Sequence, residues 1–184
     1  MSDHFDLLVI SDTHQRGDAI RQVLSQLNFR PWAVLFLGDG LKDIDLLLSD
    51  PRYDTLSVYS VSGNCDRSIF FPSDEPEIRT IMVGQVKVLM MHGDTFGVKH
   101  GLGEAQRYAA SQGADVLLYG HTHAPYVKMF AAGEYIGGGV TLEKPLLVAN
   151  PGSLGKPHYG QEPTFGVLTV RDGQVLFSHG TLQS

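Results

Sequence analysis

Five short apolar runs restrict what this chain can fold into: FDLLVI at 5–10, AVLFL at 33–37, LSVYSV at 56–61, VKVLMM at 86–91 and VLLY at 116–119. Each is too short for a helix of ordinary length and reads as a buried strand. Helical patterns separate the early runs. Asp18 can cap a helix whose apolar face is Ile20, Val23, Leu24 and Leu27, and a second stretch passes through Ile44, Leu47 and Leu48 before Asp50-Pro51 stops it. Ile78–Val83 and Val86–Met91 flank Gly84-Gln85 as a β-hairpin, with glycine supplying a positive φ. Residues 104–112 are helix-compatible and end at Gly113. Further strands are expected at 126–131, 146–149, 165–170 and 174–179, with a mobile loop over Gly133–Gly139. Alternating β and α followed by mostly β predicts a layered α/β fold with a mixed sheet or two packed sheets. One domain over 1–184 is expected.

The composition is that of an ordinary globular protein, 42% hydrophobic and 18% charged. A net charge of −6 without blocks of like charge argues against an extended nucleic-acid surface. One cysteine, Cys65, excludes an intrachain disulfide framework. No apolar run approaches the ~18 residues of a membrane span, and the N-terminus lacks the pattern of a secretory signal, so a cytoplasmic protein is expected.

The residues at the ends of these runs carry the chemistry. Asp12-x-His14, Asp39, Asn64, His92 and His121-x-His123 each stand just beyond one of the five. In an open α/β sheet, functional groups collect at the carboxyl ends of strands. Five such ends would deliver Asp, Asn and His to one small volume, the makeup of a two-metal hydrolytic centre. On extended backbone, residues i and i+2 point the same way, so Asp12 with His14, and His121 with His123, are expected to aim together. Imidazole, carboxylate and amide donors suit Mn²⁺, Fe, Co²⁺, Ni²⁺ or Zn²⁺ better than Ca²⁺ or Mg²⁺.

The order D-x-H, G-D-G, G-N-x-D, H-G and G-H-T-H resembles the calcineurin-like metallophosphoesterases, and looks most like their small single-domain branch, the YfcE-like phosphodiesterases. Asn150-Pro151-Gly152-Ser153 resembles a later turn of that branch, so the resemblance covers nearly all of the chain. It implies a four-layer α/β/β/α sandwich of two mixed sheets flanked by helices. It also implies two divalent transition-metal ions, Mn²⁺ first among those above. Asp12, His14 and His123 would hold one, Asn64, His92 and His121 the other, and Asp39 would bridge them. The implied activity is hydrolysis of a small phosphodiester or phosphomonoester by in-line attack of a metal-bridging hydroxide, with Asp39, Asn64 and Cys65 in the catalytic set. A homo-oligomer is compatible with all of this. The rival is a non-catalytic scaffold of the same fold, like the retromer subunit.

Three positions depart from or extend the pattern. Many relatives place histidine where this chain has Cys65, and a thiol cannot carry the positive charge of imidazolium; Cys65 is expected to face the substrate. Asp94 stands where a second histidine is common. Asp66 and Arg67 are expected in an exposed salt bridge, with ligand orientation by Asp66 and phosphate clamping by Arg67 as the functional alternatives. His100 and His158 are expected in loops, and His4 and His179 on the surface. The selecting loops are expected at 65–76, 94–103 and 133–143. Other chemistries fail on spacing: C-x₅-R meets Phe71, Gly101-x-Gly103 lacks its third glycine at Gln106, and Gly155-Lys156 lacks the P-loop's first glycine at Asn150.

Overall fold

The computed structural model describes residues 3–67, 73–158 and 160–183. Part of the expected selecting loop 65–76, residues 68–72, lies outside the described residues. In chain order the elements are β1 (His4–Ile10), α1 (Gly17–Gln26), β2 (Ala33–Phe36), α2 (Leu41–Leu48), β3 (Val58–Ser60), β4 (Ile78–Val83) and β5 (Val86–Met91). They continue with α3 (Gly103–Ser111), β6 (Val116–Tyr119), β7 (Pro125–Phe130), β8 (Leu146–Pro151), β9 (Thr164–Arg171) and β10 (Gln174–Thr181).

Two five-stranded mixed sheets form, in the orders β10-β9-β1-β2-β3 and β4-β5-β6-β8-β7. Each is built on three parallel strands: β1, β2 and β3 in the first, β5, β6 and β8 in the second. The antiparallel strands lie on the flanks. The inner faces pack Leu7, Val9, Leu35, Val88, Met90 and Leu118 into one core between the sheets. Leu8, Ile10, Val34 and Phe36 point outward and are covered by Ile20 and Val23 of α1 and by Ile44 and Leu47 of α2. Leu89, Leu117 and Val148 point out of the second sheet and are covered by Ala105 and Ala109 of α3. Burial on both faces is why the parallel strands read as unbroken apolar runs. The result is the α/β/β/α sandwich that the resemblance implied.

Three local expectations need correction. The α1 helix begins at Gly17 with Arg16 at the cap position and no side-chain cap, so Asp18 sits inside the first turn. There its charge favours the helix dipole without accepting a capping bond. The Gly133–Gly139 segment is a tight excursion rather than a loose loop. Gly133 and Ile136 donate N–H bonds to Leu142 and Val140 carbonyls, and Leu142 donates back to Glu134. Ile136 and Leu142 are buried in the core under α3. Asp66 departs from expectation in a way that bears on the site, whereas Arg67 is in the salt bridge expected of it, half-buried rather than exposed.

Candidate metal centre

The carboxyl ends of β1, β2, β5 and β6 bring Asp12, His14, Asp39, His92, His121 and His123 together across the junction of the sheets. Donor atoms of Asp12, His14 and His123 lie within 4.8 Å of one another, as do those of Asp39, His92 and His121. His123 Nε2 is 3.1 Å from Asp12 Oδ1, and His92 Nε2 is 3.4 Å from Asp39 Oδ2. His14 Nε2 ties the triads together, 3.8 Å from Asp12 and 3.9 Å from Asp39. It is also 3.3 Å from His123 Nε2, while His92 Nε2 and His121 Nδ1 are 3.1 Å apart. Asn64 is exposed, and its amide nitrogen lies 3.4 Å from Cys65 Sγ. A third set, His14, Asp39 and Cys65, also falls within 4.8 Å.

The side chains converge by a different route from the one expected. Asp12, His14, Asp39, His121 and His123 all have positive φ, from 45° to 62°. Left-handed backbone at non-glycine residues is strained and clusters at functional sites. The D-x-H and H-T-H pairs therefore converge through left-handed turns rather than along extended strands. Close approach also demands glycine: a Cβ on Gly63 would overlap Asp39 Oδ1, and one on Gly120 would overlap Ser11 Oγ.

A surrounding set of polar groups fixes the donors. His92 Nδ1 donates to the Leu37 carbonyl at 2.7 Å, and His123 Nδ1 donates to the Lys156 carbonyl at 2.7 Å. A carbonyl can only accept, so both rings carry that proton on Nδ1 and turn Nε2 inward, the arrangement metal-binding imidazoles use. Asp12 Oδ2 accepts from Ser11 Oγ at 2.5 Å and from the His121 amide at 3.1 Å. Its Oδ1 is buried and receives no properly directed hydrogen bond. A buried carboxylate oxygen costs free energy unless something electropositive meets it. An ion held by Asp12, His14 and His123 would do so, and the donor set fits one.

Two carboxylates act through the backbone. Asp66 accepts N–H bonds from Asp39 (2.7 Å), Gly40 (2.9 Å), Leu41 (2.9 Å) and Gly63 (2.9 Å). It is neither in an exposed salt bridge nor against an imidazole; it sets the Asp39 loop and the start of α2. Asp43, which sequence reasoning missed, is buried on α2. It accepts from Thr13 Oγ1 at 2.5 Å and the Gln15 amide at 3.0 Å, bracing the Asp12–His14 turn. A buried acid in the first turn of a short helix gave no signal apart from its neighbours. Arg67 pairs with Asp94 and with Glu77 Oε1 (2.5 Å), so its charge is already met. His158 Nε2 lies 2.8 Å from the Thr122 carbonyl, with its ring 6.4 Å from that of His123. His4 and His100 are exposed; so is His179, which is bonded to the Asn150 carbonyl at 2.7 Å.

The electrostatics divide the histidines. Burial makes His14 and His121 less basic than usual; Asp12 and Asp39 oppose this at His14, and His92 reinforces it at His121. At His92 burial acts the same way, but the Asp39 bond and the Asp12 and Asp39 charges prevail and raise it. Contact with Asp12 raises His123 against its burial. Burial pushes the Asp39 carboxyl up, yet His92 and the Cys65 amide (2.7 Å) override it and hold the group well below the usual carboxylate range. Burial, then neighbouring Asp39, pushes the Cys65 thiol up to about 11.

A sequence model of the calcineurin-like phosphoesterase superfamily domain matches residues 5–173. The chain is 26% identical over 168 residues to the probable metallophosphoesterase YsnB of Bacillus subtilis, covering 91% of this chain and 85% of that protein. It is 30% identical over 124 residues to the phosphodiesterase YfcE of Escherichia coli K12, covering 65% of this chain and 54% of that protein. Among solved structures, Vacuolar Protein Sorting 29 from Cryptosporidium parvum superposes with a TM-score of 0.65 at 22% identity, covering 97% of this chain and 98% of that one.

Proposed function

The chain belongs to the calcineurin-like phosphoesterase superfamily, and from that footing we propose that it is a metal-dependent phosphodiesterase acting on small phosphodiesters. The observation that carries the reading is the pair of donor triads, Asp12–His14–His123 and Asp39–His92–His121, with His14 within reach of both carboxylates. In this reading Asp12, His14 and His123 would hold one divalent transition-metal ion. Asn64, His92 and His121 would hold the other, Asp39 would serve both, and Mn²⁺ is the first choice of ion. Two ions bound there would supply Lewis acidity toward the phosphoryl oxygens and a water acidified from about 15.7 to about 7 for in-line displacement.

The chain's own groups do the rest. Asp39, kept ionised by His92 and the Cys65 amide, is ready to ligate at any ordinary pH. Leu37 and Lys156 carbonyls aim His92 and His123. Cys65 stands at the open side beside Asp39 and faces the substrate as a neutral thiol. It adds no positive charge to an alkoxide leaving group, so esters of acidic alcohols are favoured.

The fold is shared with Vacuolar Protein Sorting 29, which keeps a non-catalytic scaffold in view. The buried, undirected Asp12 Oδ1 among imidazoles favours a bound ion, on which the catalytic reading depends. Turnover of bis(p-nitrophenyl) phosphate with Mn²⁺ separates the two. The wild-type chain should hydrolyse it, and Asp39→Asn should lose at least about a hundredfold in kcat, the scale on which a transition-state contact is worth. Absence of metal-dependent turnover would favour the scaffold.

A further inference from the structure

The two donor triads are held in different ways. On the Asp39 side, the His92 ring donates to the carbonyl of Leu37, a buried residue just beyond β2. The Cys65 amide meets Asp39 Oδ1 at 2.7 Å, and Asp66 takes the Asp39 amide at 2.7 Å. That triad is therefore braced by the loops that follow β2 and β3.

The Asp12 side has a support of its own, the turn Ser153–His158 between β8 and β9. Ser153 and Leu154 anchor it and are fully buried. Ser153 Oγ donates to the Asp12 carbonyl at 2.8 Å, and the Gly155 amide donates to the same carbonyl at 2.9 Å. No side chain fits at Gly155, where a Cβ would overlap the Thr13 carbonyl, so the turn lies directly against the D-x-H backbone. Ser153 Oγ also accepts the Lys156 amide at 2.8 Å, and the Lys156 carbonyl accepts from His123 Nδ1 at 2.7 Å. Two residues further on, His158 Nε2 donates to the Thr122 carbonyl at 2.8 Å, in the peptide unit that leads into His123. Among the described residues the turn makes no hydrogen bond to Asp39, Asn64, His92 or His121.

We infer that the Ser153–His158 turn positions Asp12 and His123 for the ion they would share with His14, and does nothing for the neighbouring ion. His158 is then a positioning residue that acts through the Thr122–His123 peptide and contributes no donor of its own. Loss of a partner that orients a metal-binding imidazole costs about ten- to a hundredfold in metal affinity. The inference rests on the two-ion reading and makes the two ions separable from outside the donor set.

The test is Mn²⁺ binding by equilibrium dialysis, with bound metal counted by mass spectrometry. Anomalous-difference maps from crystals at limiting Mn²⁺ identify the weakened position. His158 is exposed, so His158→Ala should leave the thermal midpoint of the metal-free protein unchanged. It should weaken one of the two ions at least about tenfold. The peak beside Asp12 and His123 should fade while the one beside His92 stays. His158→Gln, whose amide can still donate to the Thr122 carbonyl, should restore wild-type binding. Unchanged affinity for both ions in His158→Ala overturns the inference and leaves the two-ion reading standing. So does an equal loss of both ions, a loss at the His92 peak, a lowered metal-free midpoint, or no recovery in His158→Gln. If the wild-type protein binds fewer than two Mn²⁺, the two-ion reading falls and the inference falls with it.

Discussion

Asp66 accepts four backbone N–H groups from two loops and so decides where Asp39 stands. Asp66→Ala would leave several of those donors without a partner and should cost about 2–4 kcal/mol in urea denaturation. Metal affinity should fall with it. An effect on substrate turnover alone, with stability and metal binding intact, would contradict the backbone role. The four proposed ligand histidines make a second test. In metal-free protein, His92 and His123 are raised above the ordinary 6.5 and His14 and His121 lowered below it. As pH falls, each close pair should take its first proton on the raised ring, and an NMR titration of the ring nitrogens should resolve two classes. Four histidines titrating together near 6.5 would contradict it. The clustering of Asp12, His14, Asp39, His92, His121 and His123 was legible in the sequence because metal-capable side chains come just after the apolar runs. Asp43 was not, because its partners Thr13 and Gln15 lie thirty and twenty-eight positions away and only folding brings them near.

The parallel strands position the centre, and their sequence announced them: apolar on both faces because core lies on both sides. Leu35 of β2 is fully buried between the sheets. Leu35→Ala should destabilise the fold by about 2–5 kcal/mol, as cavity-forming substitutions do, while Mn²⁺ stoichiometry at saturation stays unchanged. Denaturation and metal analysis of the same preparation would check both. The turns were harder to read. Alternation along an extended strand suggested that D-x-H and H-T-H would converge, whereas left-handed backbone at both residues of each pair does it. Such conformations are unfavourable for aspartate and histidine in isolation, so local preference could not reveal them. Gly63 is the counterpart: Gly63→Ala should displace Asp39 and lower metal affinity more than it lowers stability. The Gly133–Gly139 segment misled in the other direction, because a glycine-rich run concealed the buried anchors Ile136 and Leu142.

Across the two sheets, the fold is a pair of three-strand parallel units facing each other, each delivering donors at its carboxyl end. One contributes Asp12, Asp39 and the Asn64 loop; the other contributes His92, His121 and the turn that carries Lys156. Ions bound between them would join the sheets, so metal should stabilise the folded chain by mass action. At a free concentration one hundred times Kd, one site gives about 2.7 kcal/mol, read as a rise in the thermal midpoint that a chelator reverses. No helix among the described residues is long and apolar enough to cross a membrane. The central claim is a two-ion site that shares Asp39. An anomalous-difference map from Mn²⁺-loaded crystals tests it most directly. Two peaks about 3.5–4 Å apart, one on either side of the Asp39 carboxylate, are predicted. A single peak, or peaks away from Asp12, Asp39 and the four histidines, would contradict it.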